Sequence, residues 1–135
     1  MSAHSATGYE LNYAVSGSSG YYIGIVRWNG GLANFTESDK LGPGSVCKYP
    51  KVGTGCTEVT GIAVKNGDVI KGTAVGNTIS AYLNGVLIVQ VVDSTFASGA
   101  PGFGFDFGCD STYANFGFSQ FSAVTTGNST QSPKR

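Results

Sequence analysis

The sequence predicts an all-β protein built as an antiparallel β-sandwich of about nine short strands. Apolar and polar residues alternate with a period of two along much of the chain, and no segment sustains a helical period. Turn sequences rich in glycine, asparagine and aspartate recur about every eight to twelve residues. The 21 glycines and the abundant threonine, tyrosine and valine suit tight turns and pleated strands.

Two strands are predicted near the N-terminus. Tyr9, Leu11 and Tyr13 alternate with polar residues, and "SGSSG" at 16–20 supplies a turn. The next strand is "YYIGIVRW" at 21–28, whose two faces carry Tyr22, Gly24, Val26 and Trp28 on one side and Tyr21, Ile23, Ile25 and Arg27 on the other. Arg27 is expected to cap a solvent-facing side.

The later elements are separated by short turn sequences. "NGG" at 29–31 predicts a hairpin turn, residues 32–35 a short strand and residues 37–57 one long loop. Further strands are predicted at 58–64, 68–75, 78–84, 86–92, 101–107 and 113–122. In the strand at 86–92, alternation places Val86 and Ile88 on one face and Leu87, Val89 and Val91 on the other, so both faces are apolar.

The chain is predicted to form one domain with a single core. Its 135 residues suffice for that, with a flexible leader at 1–7, the domain at 8–123 and a disordered tail at 124–135. Only 12% of residues are charged, and eight basic residues balance eight acidic ones, so neither nucleic acid nor a membrane is an expected partner. The chain shows no signal peptide, yet its composition favours a secreted or extracellular domain.

Three cysteines are present. Cys47 and Cys56 flank the loop "CKYPKVGTGC", and a disulfide between them would restrain that loop by about 2–3 kcal/mol. Cys109 is then left over, and a small residue in a turn is the simplest interpretation of it.

The run from Gly67 to Gly104 contains a series of short motifs. In order they are "GDVI" at 67–70, "GNTI" at 76–79, "YLNG" at 82–85 and "DSTFASGAPG" at 93–102, and "YANFGFSQF" follows at 113–121. This series resembles the closing strands of the concanavalin A-like lectin/glucanase jelly roll, and residues 8–31 resemble its middle strands. The resemblance implies a jelly-roll sandwich that binds or cleaves glycans.

Members of that superfamily usually carry several more strands before a "GYE"-like strand. This chain begins almost at its own "GYE", at residues 8–10, so one sheet is expected to lack a partner strand. Because an open apolar sheet edge tends to pair with another chain, a homo-oligomer is predicted, with a trimmed domain, or a monomer that replaces the missing strands internally, as the alternatives.

The shared motifs also have a structural explanation. Asn84 and Gly85 can supply the positive φ angles of a two-residue hairpin turn. Asp93, before Ser94 and Thr95, can accept backbone donors in an Asx-type turn. The hairpin at 76–94 is therefore expected to serve mostly as scaffold.

Hydrolytic members of the superfamily place carboxylates in alternation on one strand. No such strand exists here, since Glu10, Glu37 and Glu58 lie far apart and the five aspartates lie in turn-like contexts. Glu10 and Asp106 are the weak catalytic candidates, because both lie on predicted strands. A glycoside hydrolase or polysaccharide lyase is thus an alternative.

No metal or organic cofactor is expected, with calcium as a possible exception. His4 is the only histidine and no CxxC pair exists, which argues against a zinc or copper site. Calcium needs only oxygen ligands, and Asp93, Asp106 and Asp110 are its weak candidates, although turn capping explains them more simply.

Aromatic residues favour a noncatalytic carbohydrate-binding domain. Tyr or Trp rings stack on the C–H faces of sugars while amides and carboxylates bond the hydroxyls. Tyr22 and Trp28 share one strand face, and Tyr82 and Asn84 share another, so these four residues are the predicted glycan contacts. Core packing is the structural alternative for each ring, and a structural or assembly protein that pairs through a sheet edge is the third hypothesis.

Overall fold

The structure, a computed structural model, describes residues 5–14, 21–31, 35–36, 45–48, 56–104 and 117–125. This described part is all-β. Its eight strands are β1 (Ser5–Ala14), β2 (Tyr22–Gly31), β3 (Phe35–Thr36), β4 (Ser45–Lys48), β5 (Cys56–Thr60), β6 (Ile70–Val75), β7 (Thr78–Leu83) and β8 (Val86–Val92). None of the described residues forms a helix that is long and apolar enough to cross a membrane.

The strands form two sheets. Sheet A has the order β1-β2-β5-β4, with β3 also paired to β2, and sheet B has the order β6-β7-β8. All pairs are antiparallel except β4 with β5, which is parallel. Within the described sheets the strand order ends at β1 and β4 in sheet A and at β6 and β8 in sheet B, and the expected pairing of an edge with a second copy stays a prediction.

One apolar core joins the two sheets, which is the arrangement of a β-sandwich. Sheet A contributes Ile23, Ile25 and Val59, all fully buried, and sheet B contributes Ile79, Ala81, Val89 and Val91 among others. Each fully buried aliphatic side chain of this size stabilises the fold by roughly 1.5–3 kcal/mol. Ile23 and Ile25 share one face of β2, as alternation predicts, and the structure turns that face inward.

Strand β1 lies over β6 at one side of the sandwich. The Tyr13 hydroxyl donates to the backbone oxygens of Tyr82, at 3.1 Å, and Lys71, at 3.2 Å. Burial raises the pKa of Tyr13 to about 12, so its phenol stays neutral and keeps donating at physiological pH. The Leu11 side chain lies against Gly72 in the same region.

Replacing Gly72 with alanine is expected to destabilise the protein by about 1–2 kcal/mol, because a Cβ there would lie 2.2 Å from Leu11 Cδ1. Without that clash, alanine is favoured over glycine within a strand by roughly 0.5–1 kcal/mol. The control is the same change in a Leu11→Ala background, where it is expected to be neutral or stabilising. Urea unfolding of the four proteins measures this, and an equal cost in both backgrounds would contradict the contact.

Three predicted elements in the first half of the chain differ from the structure. Residues 29–31, predicted as a hairpin turn, complete β2, because Ser5–Thr7 continue the ladder opposite them. That pairing also places Ser5–Thr7, expected in a flexible leader, inside β1. Strand β4 at 45–48 lies inside the predicted long loop. Tertiary pairing overrides local turn propensity at these positions.

The second half follows the prediction more closely. Strands β6, β7 and β8 lie within the predicted segments, and β8 has the predicted bounds. Strand β5 ends at Thr60, so residues 61–64 are not a strand. Of the last two predicted strands, residues 101–104 and 117–122 are not strand, and residues 105–107 and 113–116 lie outside the described residues.

The chain divides into two compact units, Met1–Gly99 and Ala100–Arg135, and all eight strands lie in the first. In the second unit, the ring of Phe103 lies 5.1 Å from that of Phe118 and 4.9 Å from that of Phe121. All three phenylalanines are exposed.

Candidate functional site

The outward face of sheet A groups two aromatic rings with three polar side chains. Because Ile23 and Ile25 point into the core, their neighbours on β2 point outward. The register places Gly8 opposite Trp28, Glu10 opposite Val26 and Asn12 opposite Gly24, and it places Glu58 of β5 on the other side of Gly24. We call this surface the outer face of sheet A, and its side chains are Glu10, Asn12, Tyr22, Val26, Trp28 and Glu58.

Trp28 and Glu10 form the best-defined contact on this face. The indole Nε1 of Trp28 donates a hydrogen bond of 2.7 Å to Oε2 of Glu10, and both side chains are partly buried. Gly8 lies directly opposite Trp28, and Glu10 is two positions further along β1, on the same face. The carboxylate therefore fixes the orientation of the indole on the sheet.

Tyr22 lies at the other end of the same face, opposite Ala14 on β1 and Thr60 on β5. Between Tyr22 and Val26, Gly24 is buried, so neighbouring groups close over its backbone. The face is therefore a packed surface of partly buried side chains.

Glu58 is a site residue that sequence reasoning missed. It lies 48 positions from Glu10 in the sequence, yet β5 pairs with β2 and brings it onto the same face. Its neighbour Val59 is fully buried. Alternation along β5 could have placed Glu58 outward, but nothing in the local pattern indicates that β5 lies beside β2.

The other two predicted glycan contacts lie elsewhere. Tyr82 is on the outward side of sheet B, where Lys71 Nζ lies 5.4 Å from the centroid of its ring. Asn84 is in the β7–β8 turn, with φ of 50°, and Gly85 follows with φ of 80°, so both supply the positive φ angles that the sequence predicts. The structure therefore brings Tyr22 and Trp28 onto one face and does not bring Tyr82 or Asn84 to it.

Hydrogen bonds of the scaffold occupy the side-chain amide of Asn84. It donates to Oδ1 of Asp68 and accepts from the backbone amide of Val69, both at 2.9 Å. The bond from Asn84, followed by that from the Lys65 amide, lowers the pKa of Asp68. A shallow cavity beside this turn is lined by residues that include Lys65, Asp68 and Asn84, but Asp68 and Asn84 already bond to each other.

The calcium candidates are only partly within the described residues. Asp93 accepts hydrogen bonds from Arg27, from the Tyr9 hydroxyl and from the Thr95 amide, so a guanidinium already neutralises its charge. Asp106 and Asp110 lie outside the described residues. Across the part of the chain that the structure describes, no group of three or more His, Cys, Asp and Glu side chains is placed to hold a metal ion.

Cys56 is buried and disulfide-bonded. The side chains of Cys47 and Cys109 lie outside the described residues, so the predicted Cys47–Cys56 pair stays a prediction. The register places Cys47 opposite Val59 and Cys56 opposite Ser45, on neighbouring parallel strands.

Comparisons with known proteins give no match to any family model, curated protein or solved structure. The resemblance to concanavalin A-like domains therefore stays a prediction from the motifs.

Proposed function

We propose that the protein is a noncatalytic, secreted carbohydrate-binding domain that docks a glycan on the outer face of sheet A. The observation that carries the proposal is the partly buried indole of Trp28, which Glu10 holds in one orientation on an outward sheet face. Sugars present flat C–H faces that stack on such rings, while carboxylates and amides at the rim bond their hydroxyls. Tyr22 and Asn12 supply a second ring and an amide on the same face.

The outward side of sheet B suits a glycan less well. Tyr82 is its one described aromatic residue, and Val75 and Val92 are exposed on it. In the middle of this side, Gln90 Nε2 donates to Ser80 Oγ at 2.9 Å, so these polar groups bond to each other. The outer face of sheet A combines rings with hydrogen-bonding groups in the way that sugar recognition requires.

Trp28→Ala is expected to weaken glycan binding about tenfold or more, because truncating a central aromatic residue of a binding surface costs on the order of 2 kcal/mol. Affinity electrophoresis through gels that contain a panel of soluble polysaccharides measures this without a tryptophan signal. Tyr82→Ala is the matched control and is expected to bind as the wild type does. Equal migration of wild type and Trp28→Ala in every gel would remove the proposal.

A glycoside hydrolase is the second candidate, and the observation that favours it is the presence of Glu10 and Glu58 on one face. Acid and nucleophile in such enzymes are two carboxyl groups on either side of the scissile bond. Asp106, the other predicted catalytic candidate, lies outside the described residues. If the protein were incubated with the same polysaccharides, new reducing or unsaturated ends that are lost in Glu58→Gln would replace the binding proposal with this one.

A further inference from the structure

The carboxylate of Glu10 is only partly used by the protein. Its Oε2 atom accepts the indole N–H, and its Oε1 atom has no hydrogen-bond partner among the described residues. An ionised carboxylate accepts hydrogen bonds and donates none, and its two oxygens offer about four acceptor positions. A ligand at this position must therefore bring donors.

The position of Glu10 relative to Trp28 determines which part of a bound sugar lies against the Glu10 carboxylate. A pyranose ring stacked on the indole projects its equatorial substituents past the edge of the indole. At the N–H edge those substituents meet the Glu10 carboxylate, which lies 2.7 Å from Nε1. A protonated amine there forms a charge-assisted hydrogen bond, which is shorter and stronger than a neutral one.

A carboxylate or sulfate on the sugar would instead meet a like charge. Because Glu10 is partly buried, solvent screens this repulsion less than it would on an open surface. On this face the carboxylate beside the indole is that of Glu10. Arg27 belongs to the inward side of β2, where it bonds Asp93, and Lys71 belongs to sheet B.

We infer that the outer face of sheet A selects glycans whose units carry protonated amines, such as polymers of 2-amino-2-deoxy sugars, and that Glu10 is the residue that determines this selectivity. The inference rests on the proposed function, because it assigns a ligand class to the same face. Trp28 supplies the stacking surface that every pyranose can use, and Glu10 discriminates by charge.

Three oligosaccharides of equal length test the inference: oligomers of glucosamine, of N-acetylglucosamine and of galacturonate, titrated calorimetrically into the protein at about pH 6. The wild type is expected to bind the glucosamine oligomer at least about tenfold more tightly than the galacturonate oligomer, with a difference that shrinks in salt. Glu10→Gln, which keeps an acceptor for the indole, is expected to reduce this preference to about threefold or less.

The two proposals fail in different ways. Binding of all three oligomers with similar affinity, or a preference that survives Glu10→Gln, overturns the inference and leaves the proposed function intact. Absence of binding to every glycan overturns the proposed function and the inference with it. Trp28 emission and urea unfolding of Glu10→Gln verify that the variant is folded and that its indole keeps its surroundings.

Discussion

Replacing Asp93 with alanine is expected to lower the free energy of unfolding by about 3 kcal/mol, because it removes one member of a partly buried ion pair. Asp93 follows β8 and accepts hydrogen bonds from Arg27 of β2, the Tyr9 hydroxyl of β1 and the Thr95 amide. Its side chain is 9% exposed and that of Arg27 is 22% exposed. One carboxylate thus ties the segment after sheet B to two strands of sheet A.

The Asp93 contribution is expected to depend on pH. Burial acts to raise the pKa of Asp93, but the bonds from Tyr9 and Thr95 and the charge of Arg27 together lower it below its usual value. The folded state therefore binds this proton less readily than the unfolded state, whose aspartates titrate at about 3.9. The stabilisation is present above that value and is lost as the pH falls through the lower pKa of the folded state.

Urea unfolding at several pH values between 7 and 2.5 measures both the stability that Asp93 contributes and the pH dependence of that contribution. Asp93→Asn keeps the shape of the side chain and removes its charge, so its deficit relative to the wild type is expected to shrink as the pH falls below about 4. Arg27→Met keeps the apolar stem and provides the second arm of a double-mutant cycle. A coupling energy near zero between Asp93→Asn and Arg27→Met would show that the pair contributes nothing.

Two turns in the second half of the chain could be predicted from the sequence. Asn84 and Gly85 adopt the expected turn, and the Thr95 amide donates to Asp93 at 2.9 Å in the expected Asx-type turn. Each of these features depends on residues within a few positions of one another. Propensity and side-chain capping determine them almost completely.

Arg27 shows where local patterns stop being sufficient. Alternation places it on the same side as Ile23 and Ile25, but the prediction that it caps a solvent-facing side is wrong. Its partner, Asp93, lies 66 residues away in the sequence. A charge on the inward side of a strand is tolerated because this distant carboxylate pairs with it, and strand periodicity carries no information about such a partner.

In the candidate site, too, the features that depend on one strand were predictable, and those that depend on strand pairing were not. That Tyr22 and Trp28 share a face follows from the period of a single strand. That Glu10 reaches the Trp28 indole depends on the pairing of β1 with β2, and that Glu58 joins the face depends on β5 lying beside β2. The separation of Tyr82 from this face depends on β7 belonging to the other sheet. Strand order across sheets is a property of the whole chain, which no short motif contains.

Strand β8 provides the second large prediction, because strict alternation fails inside it. The register with β7 shifts between Ala81 and Tyr82: Ala81 lies opposite Val89 and Tyr82 opposite Leu87, so Ile88 has no opposite residue. This β-bulge lets two consecutive residues point inward, and Ile88 and Val89 are 1% and 0% exposed. The sequence pattern, by contrast, assigned these two residues to opposite faces.

Ile88→Ala is therefore expected to lower the free energy of unfolding by about 3 kcal/mol, and Val89→Ala by about 2 kcal/mol, since each leaves a cavity in the shared core. Leu87→Ala, at a partly buried position beside them, is the control and is expected to cost about 1 kcal/mol or less. Chemical unfolding of the three variants under one condition distinguishes a bulged β8 from a regular β8. A bulged strand makes both Ile88 and Val89 costly, whereas a regular strand requires one of them to behave like Leu87. If Ile88→Ala proved as mild as Leu87→Ala, β8 would have to be a regular strand, and the core would have to close without Ile88.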